Sequence, residues 1–147
     1  MKYRLAAVVT MIVIISCAKP SAPIVPVSFQ MRLVSETNAA PAQQYFLNGE
    51  MLYLEEMVYV FEGDVIKAIP GTDEYGRSMV HVNLNSEGTR RLYEVTDKNH
   101  GRRLAVVVDN KIRFAPMIME TIPTGKLQFP VASRSEAFDL ARRLSRH

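Results

Sequence analysis

Residues 79–108 read MVHVNLNSEGTRRLYEVTDKNHGRRLAVVV, and this stretch decides the fold. Among its first seven residues, Val80, Val82 and Leu84 alternate with polar side chains, which predicts a strand with one buried face. Ser86 is predicted to cap a helix over residues 87–99, and Gly101 to end it. The last six residues, RLAVVV, are apolar after the arginine and show no alternation, which predicts a central strand covered on both faces. Strand, helix and strand in this order predict a right-handed parallel crossover.

The residues downstream continue the domain. Asp109 and Asn110 tolerate a left-handed backbone, so they predict a tight turn into a strand over residues 111–115. A further strand is predicted over residues 126–129, and the two strands with the chain between them are expected to form one long hairpin from Ile112 to Phe129. Ser133 begins a capping box. It opens a final helix whose predicted buried stripe comprises Ala137, Leu140, Ala141 and Leu144.

The residues upstream are less regular. Residues 29–34 alternate as a half-buried strand does, and residues 35–49 are polar and predict a loop. Residues 51–61 predict one or two strands. Asp64 is expected to cap a short helix, DVIKAI, which Pro70 would end. The whole pattern predicts an α+β fold, with a mixed, mostly antiparallel sheet and two amphipathic helices on one face.

Charge and cysteine content exclude several classes of protein. Of 18 Lys and Arg residues, Lys2 and Arg4 lie in an N-terminal segment without acids, so residues 17–147 carry 16 basic and 15 acidic side chains. This near balance argues against binding to nucleic acid. One cysteine allows neither an intrachain disulfide nor a thiolate metal cage. Three histidines without ligand or triad spacing predict no metal, no cofactor and no enzymatic activity.

The N-terminal segment has the organisation of an export signal. Residues 1–17 read MKYRLAAVVTMIVIISC, a basic start followed by an apolar run too short for a confident membrane span. Its end, Ile14-Ile15-Ser16-Cys17, resembles the bacterial lipobox. The resemblance implies cleavage after residue 16, a lipid on Cys17 and firm anchoring by several acyl chains. The other interpretation is an uncleaved membrane anchor with an incidental cysteine.

A proline-rich stretch follows the cysteine. Residues 17–28 contain three spaced prolines, which favour an extended chain and predict a tether; the alternative is an irregular first strand from Ile24 onward. Residues 29–147 then form the predicted domain, with the clearest pattern over residues 79–147. We therefore expect a lipid-anchored protein of the cell envelope that faces the periplasm. Ala18 after the cysteine favours the outer membrane over the inner one.

Several motifs in the domain occur together in one known family. They are VHVNLNSEG (80–88), GRRLAVVVDNKIRFAPMIMETIPTGKLQF (101–129) and SRSEAFDLARRL (133–144), preceded by QMRLV (30–34) and LYLEEMVYVFEGDVIKA (52–68). In this order and spacing they resemble the head of the first periplasmic domain of SecD, an accessory membrane subunit of the Sec translocon. The resemblance implies contact with polypeptide during export. The proton-coupled membrane helices of SecD have no counterpart in the apolar segments after residue 17.

The favoured hypothesis is thus a protein-binding envelope lipoprotein, for which the resemblance implies an accessory role in protein export. Candidate partner-binding residues lie in the predicted long hairpin, which carries more apolar side chains than a solvated hairpin needs: Phe114, Met117, Ile118, Met119 and Leu127. The alternative for them is a place in the core. A second candidate surface is the arginine-rich outer face of the last helix, expected to expose Arg134, Arg142, Arg143 and Arg146. The alternative function is a structural or assembly lipoprotein of an unrelated envelope complex.

Overall fold

A computed structural model describes residues 26–35 and 43–145 of the chain. The predicted signal, Cys17 and most of the tether lie outside these ranges. Within them the order of elements is β1 (Phe29–Leu33), β2 (Gln43–Leu47), β3 (Glu50–Leu54), β4 (Val60–Phe61), β5 (Val65–Thr72), β6 (Ser78–Leu84), α1 (Ser86–Lys98), β7 (Leu104–Val108), β8 (Lys111–Phe114), β9 (Lys126–Pro130) and α2 (Arg134–Leu144).

The strands fall into three antiparallel groups. A four-stranded sheet has the order β4-β1-β7-β8, a three-stranded sheet has the order β5-β6-β9, and β2 pairs with β3 alone. The predicted α+β fold with mostly antiparallel strands and two helices is confirmed. The predicted parallel crossover is wrong, because β6 and β7 belong to different sheets. Antiparallel neighbours, β1 and β8, occupy both edges of β7.

Strand β7 lies between two hydrophobic cores. Leu104, Val106 and Val108 point into the larger core, which also receives buried side chains from β1, β6 and both helices. Ala105 and Val107 point into a smaller core beneath the β2–β3 hairpin. All five side chains are buried. The prediction of a central strand covered on both faces is therefore confirmed.

Both helices were predicted nearly in place. The first begins at Ser86, and the Asn85 side chain caps it by accepting from the Gly88 amide at 2.7 Å, so the predicted cap is one residue late. The second is capped by Ser133, whose hydroxyl accepts from the Glu136 amide at 3.1 Å as predicted. Its predicted apolar stripe is buried. Neither helix in the described ranges is long and apolar enough to span a bilayer.

Residues 65–72 form strand β5, so the helix predicted after Asp64 is wrong. Valine and isoleucine residues in this stretch favour a strand over a helix. Pro70 fits because β5 lies at a sheet edge. The amide of Ala68 bonds to the Ser145 hydroxyl at 2.8 Å instead of to β6, and Pro70, two residues on, has its nitrogen on the same outward side. The absence of an N–H on Pro70 therefore removes no hydrogen bond to β6.

The β2–β3 hairpin corrects the prediction of a loop over residues 35–49. Asn48 and Gly49 form its turn with positive φ angles of 50° and 87°. Asn-Gly is a strong sequence signal for such a turn, and it was available in the sequence. Tyr45 and Leu52 pair across the hairpin and face the smaller core, so this hairpin closes the second face of the four-stranded sheet.

Candidate functional site

The chain from Ile112 to Phe129 does not form the single hairpin predicted for it. Strand β8 pairs with β7, whereas β9 pairs with β6 in the other sheet. Residues 115–125 therefore cross from one sheet to the other. Pro116 and Pro123 lack the N–H groups that a continuous ladder needs. The carbonyl of Pro116 instead accepts from the amide of Leu104 at 3.0 Å and holds the start of the crossing against β7.

The crossing segment is pinned along its length. Ile118 donates its amide to the Arg102 carbonyl at 2.8 Å and accepts from the Gly101 amide at 2.9 Å. Further along, the Ile122 amide donates to the Thr96 hydroxyl of α1 at 3.0 Å. The acceptor, Thr96, is fully buried, and the bond itself is partly buried. The irregular backbone is thus held by hydrogen bonds at several points.

The apolar side chains of this segment alternate between the core and the surface. Ile118 is 6% exposed and belongs to the larger core, whereas its neighbours Met117 and Met119 are 55% and 76% exposed. Phe114, at the end of β8, is also exposed. Three large apolar side chains are therefore accessible from solvent beside the core.

All five candidate partner-binding residues line one groove, which we call the β8–β9 groove. It is mostly apolar, open to solvent and about 610 Å³ in volume. Its floor includes Met31, Leu104 and Val106. The complete lining comprises Met31, His81, Asn83, Thr96, Leu104, Val106, Phe114, Pro116, Met117, Ile118, Met119, Glu120, Ile122, Lys126, Leu127 and Gln128. Sequence reasoning missed the contributions from β1, β6, β7 and α1, since only the tertiary fold brings them here.

His81, one of the titratable residues that line the groove, packs against the backbone of β5 at Gly71, where an added Cβ would clash with the imidazole. A hydroxyl, an imidazole and a carboxylate do meet elsewhere on the surface: the Thr121 hydroxyl lies 3.2 Å from His100 Nε2 and 3.3 Å from Asp97 Oδ1. In this group the carboxylate contacts the hydroxyl, whereas a triad needs it on the imidazole. Among the described residues, no group of three potential ligands could hold a metal ion.

The second candidate surface, the outer face of α2, is less free than predicted. Arg143 was expected to face solvent, but its guanidinium binds both carboxylate oxygens of Asp109 at 2.9 Å. These hydrogen bonds are the main reason that the pKa of Arg143 is raised. Arg142 pairs with Asp139 at 2.8 Å, and Arg134 lies over the Phe138 ring. Arg146 lies outside the described residues. Structural contacts therefore account for most of this face.

The chain thus forms an α+β domain with an open apolar groove between two sheet edges. Residues 35–146 match the family model of the SecDF P1 head subdomain, and the chain belongs to this family. The resemblance seen in the sequence is therefore confirmed at the level of the family.

Relatives in the family are subunits of the protein translocase. SecD of Sebaldella termitidis is 40% identical over 68 residues, which are 46% of this chain and 17% of that protein. SecD of Treponema pallidum is 45% identical over 62 residues, or 42% of this chain and 11% of that protein. A solved structure of SecDF, a membrane component that enhances protein export, has a TM-score of 0.69 at 24% identity. That match covers 82% of this chain and 62% of the other. The chain therefore spans only a small part of these SecD subunits.

The bond between Thr96 and Ile122 yields a test of how the groove wall is held. Thr96→Val keeps the side-chain shape but removes the buried hydroxyl that accepts from the partly buried Ile122 amide, which we expect to lower the free energy of unfolding by about 1–3 kcal/mol. The matched control is Thr121→Val, which removes a surface hydroxyl and should change stability by less than about 0.5 kcal/mol. Urea unfolding of the full chain measures both. Equal losses would show that the buried bond does not hold the crossing segment.

Proposed function

We propose that this protein is a lipid-anchored envelope protein whose SecD-head-like domain binds polypeptide in the β8–β9 groove, as an accessory to protein export. The observation that carries the proposal is the exposure of Phe114, Met117 and Met119 around an apolar groove. Methionine side chains are flexible and polarisable, so they suit a surface that must accept varied sequences. Membership of a family of translocase subunits supports the connection with export.

The composition of the groove supports binding, and not catalysis, as its activity. A binding site for varied polypeptides needs apolar contact area and few fixed polar groups, whereas an enzyme needs a positioned nucleophile or acid–base pair. The lining of the β8–β9 groove has the first composition. We therefore propose a non-enzymatic role that requires neither a metal nor another cofactor.

The anchor is part of the same proposal. A lipid on Cys17 would hold the domain at the membrane, and the residues from Ala18 up to the start of the folded domain, where Val27 is buried in the larger core, would serve as the tether between them. The domain would face the periplasm, and Ala18 favours the outer membrane. The protein would then have a SecD-like head next to the membrane, anchored by a lipid instead of by membrane helices.

A second function has an observation of its own. The outer face of the β2–β3 hairpin carries Phe46 and Met51, which are paired across the strands and 67% and 49% exposed. Contiguous exposed apolar side chains can form part of a contact with another protein. This feature favours a structural or assembly lipoprotein of an unrelated envelope complex.

Photocrosslinking in living cells separates these two functions. A photoreactive amino acid replaces Phe114, Met117 or Met119, and Phe138, which is 54% exposed on α2, provides a matched surface control. We expect adducts with many precursor proteins or with translocon subunits from the three groove positions, and few from position 138. A fourth probe at Phe46 tests the alternative. One dominant, unrelated adduct from position 46, with none from the groove, would discard the export role.

The anchor is tested by labelling cells with a palmitate analogue. We expect the protein to incorporate the label and its mature form to begin at residue 17, because the lipobox directs both modification and cleavage there. Cys17→Ser should remove the label and leave residues 1–16 attached, whereas Ser16→Ala, which keeps a small residue before the cysteine, should preserve both. An unlabelled protein that retains its first 16 residues would show an uncleaved membrane anchor instead.

A further inference from the structure

Strand β9 forms one edge of the three-stranded sheet, and its hydrogen bonds reveal which of its residues face outward. Leu84 donates to the Gly125 carbonyl at 2.7 Å, and Val131 donates to the Ser78 carbonyl at 3.0 Å. In an antiparallel pair the residues bonded to the partner alternate with residues whose N–H and C=O point away. In this register, Leu127 and Phe129 bond to β6. The backbone groups of Lys126 and Gln128 therefore point away from the sheet.

At two other strand edges in the domain, outward backbone groups are bonded to side chains. On the opposite edge of the same sheet, the outward N–H and C=O of Ala68 both bond to the Ser145 hydroxyl, at 2.8 and 3.1 Å. Beside the four-stranded sheet, Arg91 donates to the carbonyl of Tyr59 at 2.9 Å, just before β4. In the described part of the chain, no comparable group meets the outward backbone of β9. Proteins usually cover such edges because an open edge pairs with other chains.

The open edge of β9 runs along the β8–β9 groove. The groove is lined by Leu127, on the core-facing side of the sheet, and also by Lys126 and Gln128 with His81 and Asn83, on the opposite side. A groove that touches both faces of one edge strand must pass around that edge. The outward N–H and C=O groups of β9 are therefore accessible from within the groove.

We propose that an extended polypeptide segment binds in this groove by adding a strand to the free edge of β9. This inference rests on the proposed function and specifies its mode of recognition. The main chain of the bound segment pairs with Lys126 and Gln128, and alternate side chains of the segment contact Phe114, Met117 and Met119. Pro130 has no N–H, so it limits the added strand to a short stretch.

The edge itself identifies the occupant. Lys126 and Gln128 present outward donors and acceptors two residues apart, about 7 Å along the strand. An extended backbone has the same spacing, whereas a helix has its backbone groups already bonded within itself and a lipid has none to offer. Strand β9 would recognise the main chain of the bound segment, and the methionines of the groove would contact its side chains. This combination also explains how one site could accept many sequences.

The test uses a fluorescent peptide of alternating valine and serine, and the full chain. Gln128→Pro removes one outward N–H without removing a bond to β6, and Gln128→Ala is the matched control that keeps this N–H. We expect Gln128→Pro to weaken the affinity measured by anisotropy at least about tenfold and Gln128→Ala by less than about threefold. Thermal melting checks that both variants remain folded.

N-methylated versions of the same peptide test the mode of binding to the unaltered protein. The result therefore does not depend on how well the Gln128→Pro variant folds. Methylation at alternate residues should weaken binding about tenfold, and methylation at the residues between them should have little effect. Binding that is insensitive to methylation at every position would overturn strand addition and leave polypeptide binding in the groove intact. Absence of binding to the unaltered protein would overturn both.

Discussion

The fold depends on the burial of β7 on both of its faces. Five consecutive side chains, from Leu104 to Val108, enter two different cores, and strands β1 and β8 occupy both edges. Burial of this apolar area contributes roughly 25 cal/mol per Å². Every other layer is placed relative to this strand: the helices and the three-stranded sheet lie on one side, and the β2–β3 hairpin on the other. The groove exists because the two sheets meet beside β7 without merging.

Most of the fold could be predicted from local patterns. The run RLAVVV indicated a doubly covered strand, and the turn at Asp109 and Asn110, both with positive φ, followed from their tolerance of that backbone. The errors arose where local and tertiary preferences differ. Pro70 was interpreted as a helix end, but it is compatible with an edge strand whose outward N–H is not needed. Which residues lie at an edge is a property of the whole sheet, so the sequence pattern alone could not show it.

The candidate site was identified for a reason that was partly wrong. Phe114, Met117 and Met119 were selected as surplus apolar residues on a long hairpin, yet β8 and β9 belong to different sheets. The predicted excess of apolar side chains is present, and these side chains are exposed. Sequence patterns could show excess apolar content, but they could not show that residues 115–125 cross between two sheets. They also could not reveal the open edge of β9, because the tertiary fold decides which strands lie at an edge and where side chains such as Ser145 and Arg91 bond to the outward backbone.

Binding of polypeptide in the β8–β9 groove can be observed directly by nuclear magnetic resonance. The experiment maps amide chemical shifts in the isotope-labelled full chain. The valine–serine peptide is added, and the change in each backbone amide signal is recorded. We expect the largest changes at residues 117–119 and 126–128, with small changes in the β2–β3 hairpin. Changes confined to the outer face of that hairpin, around Phe46 and Met51, would show that the peptide does not bind in the groove.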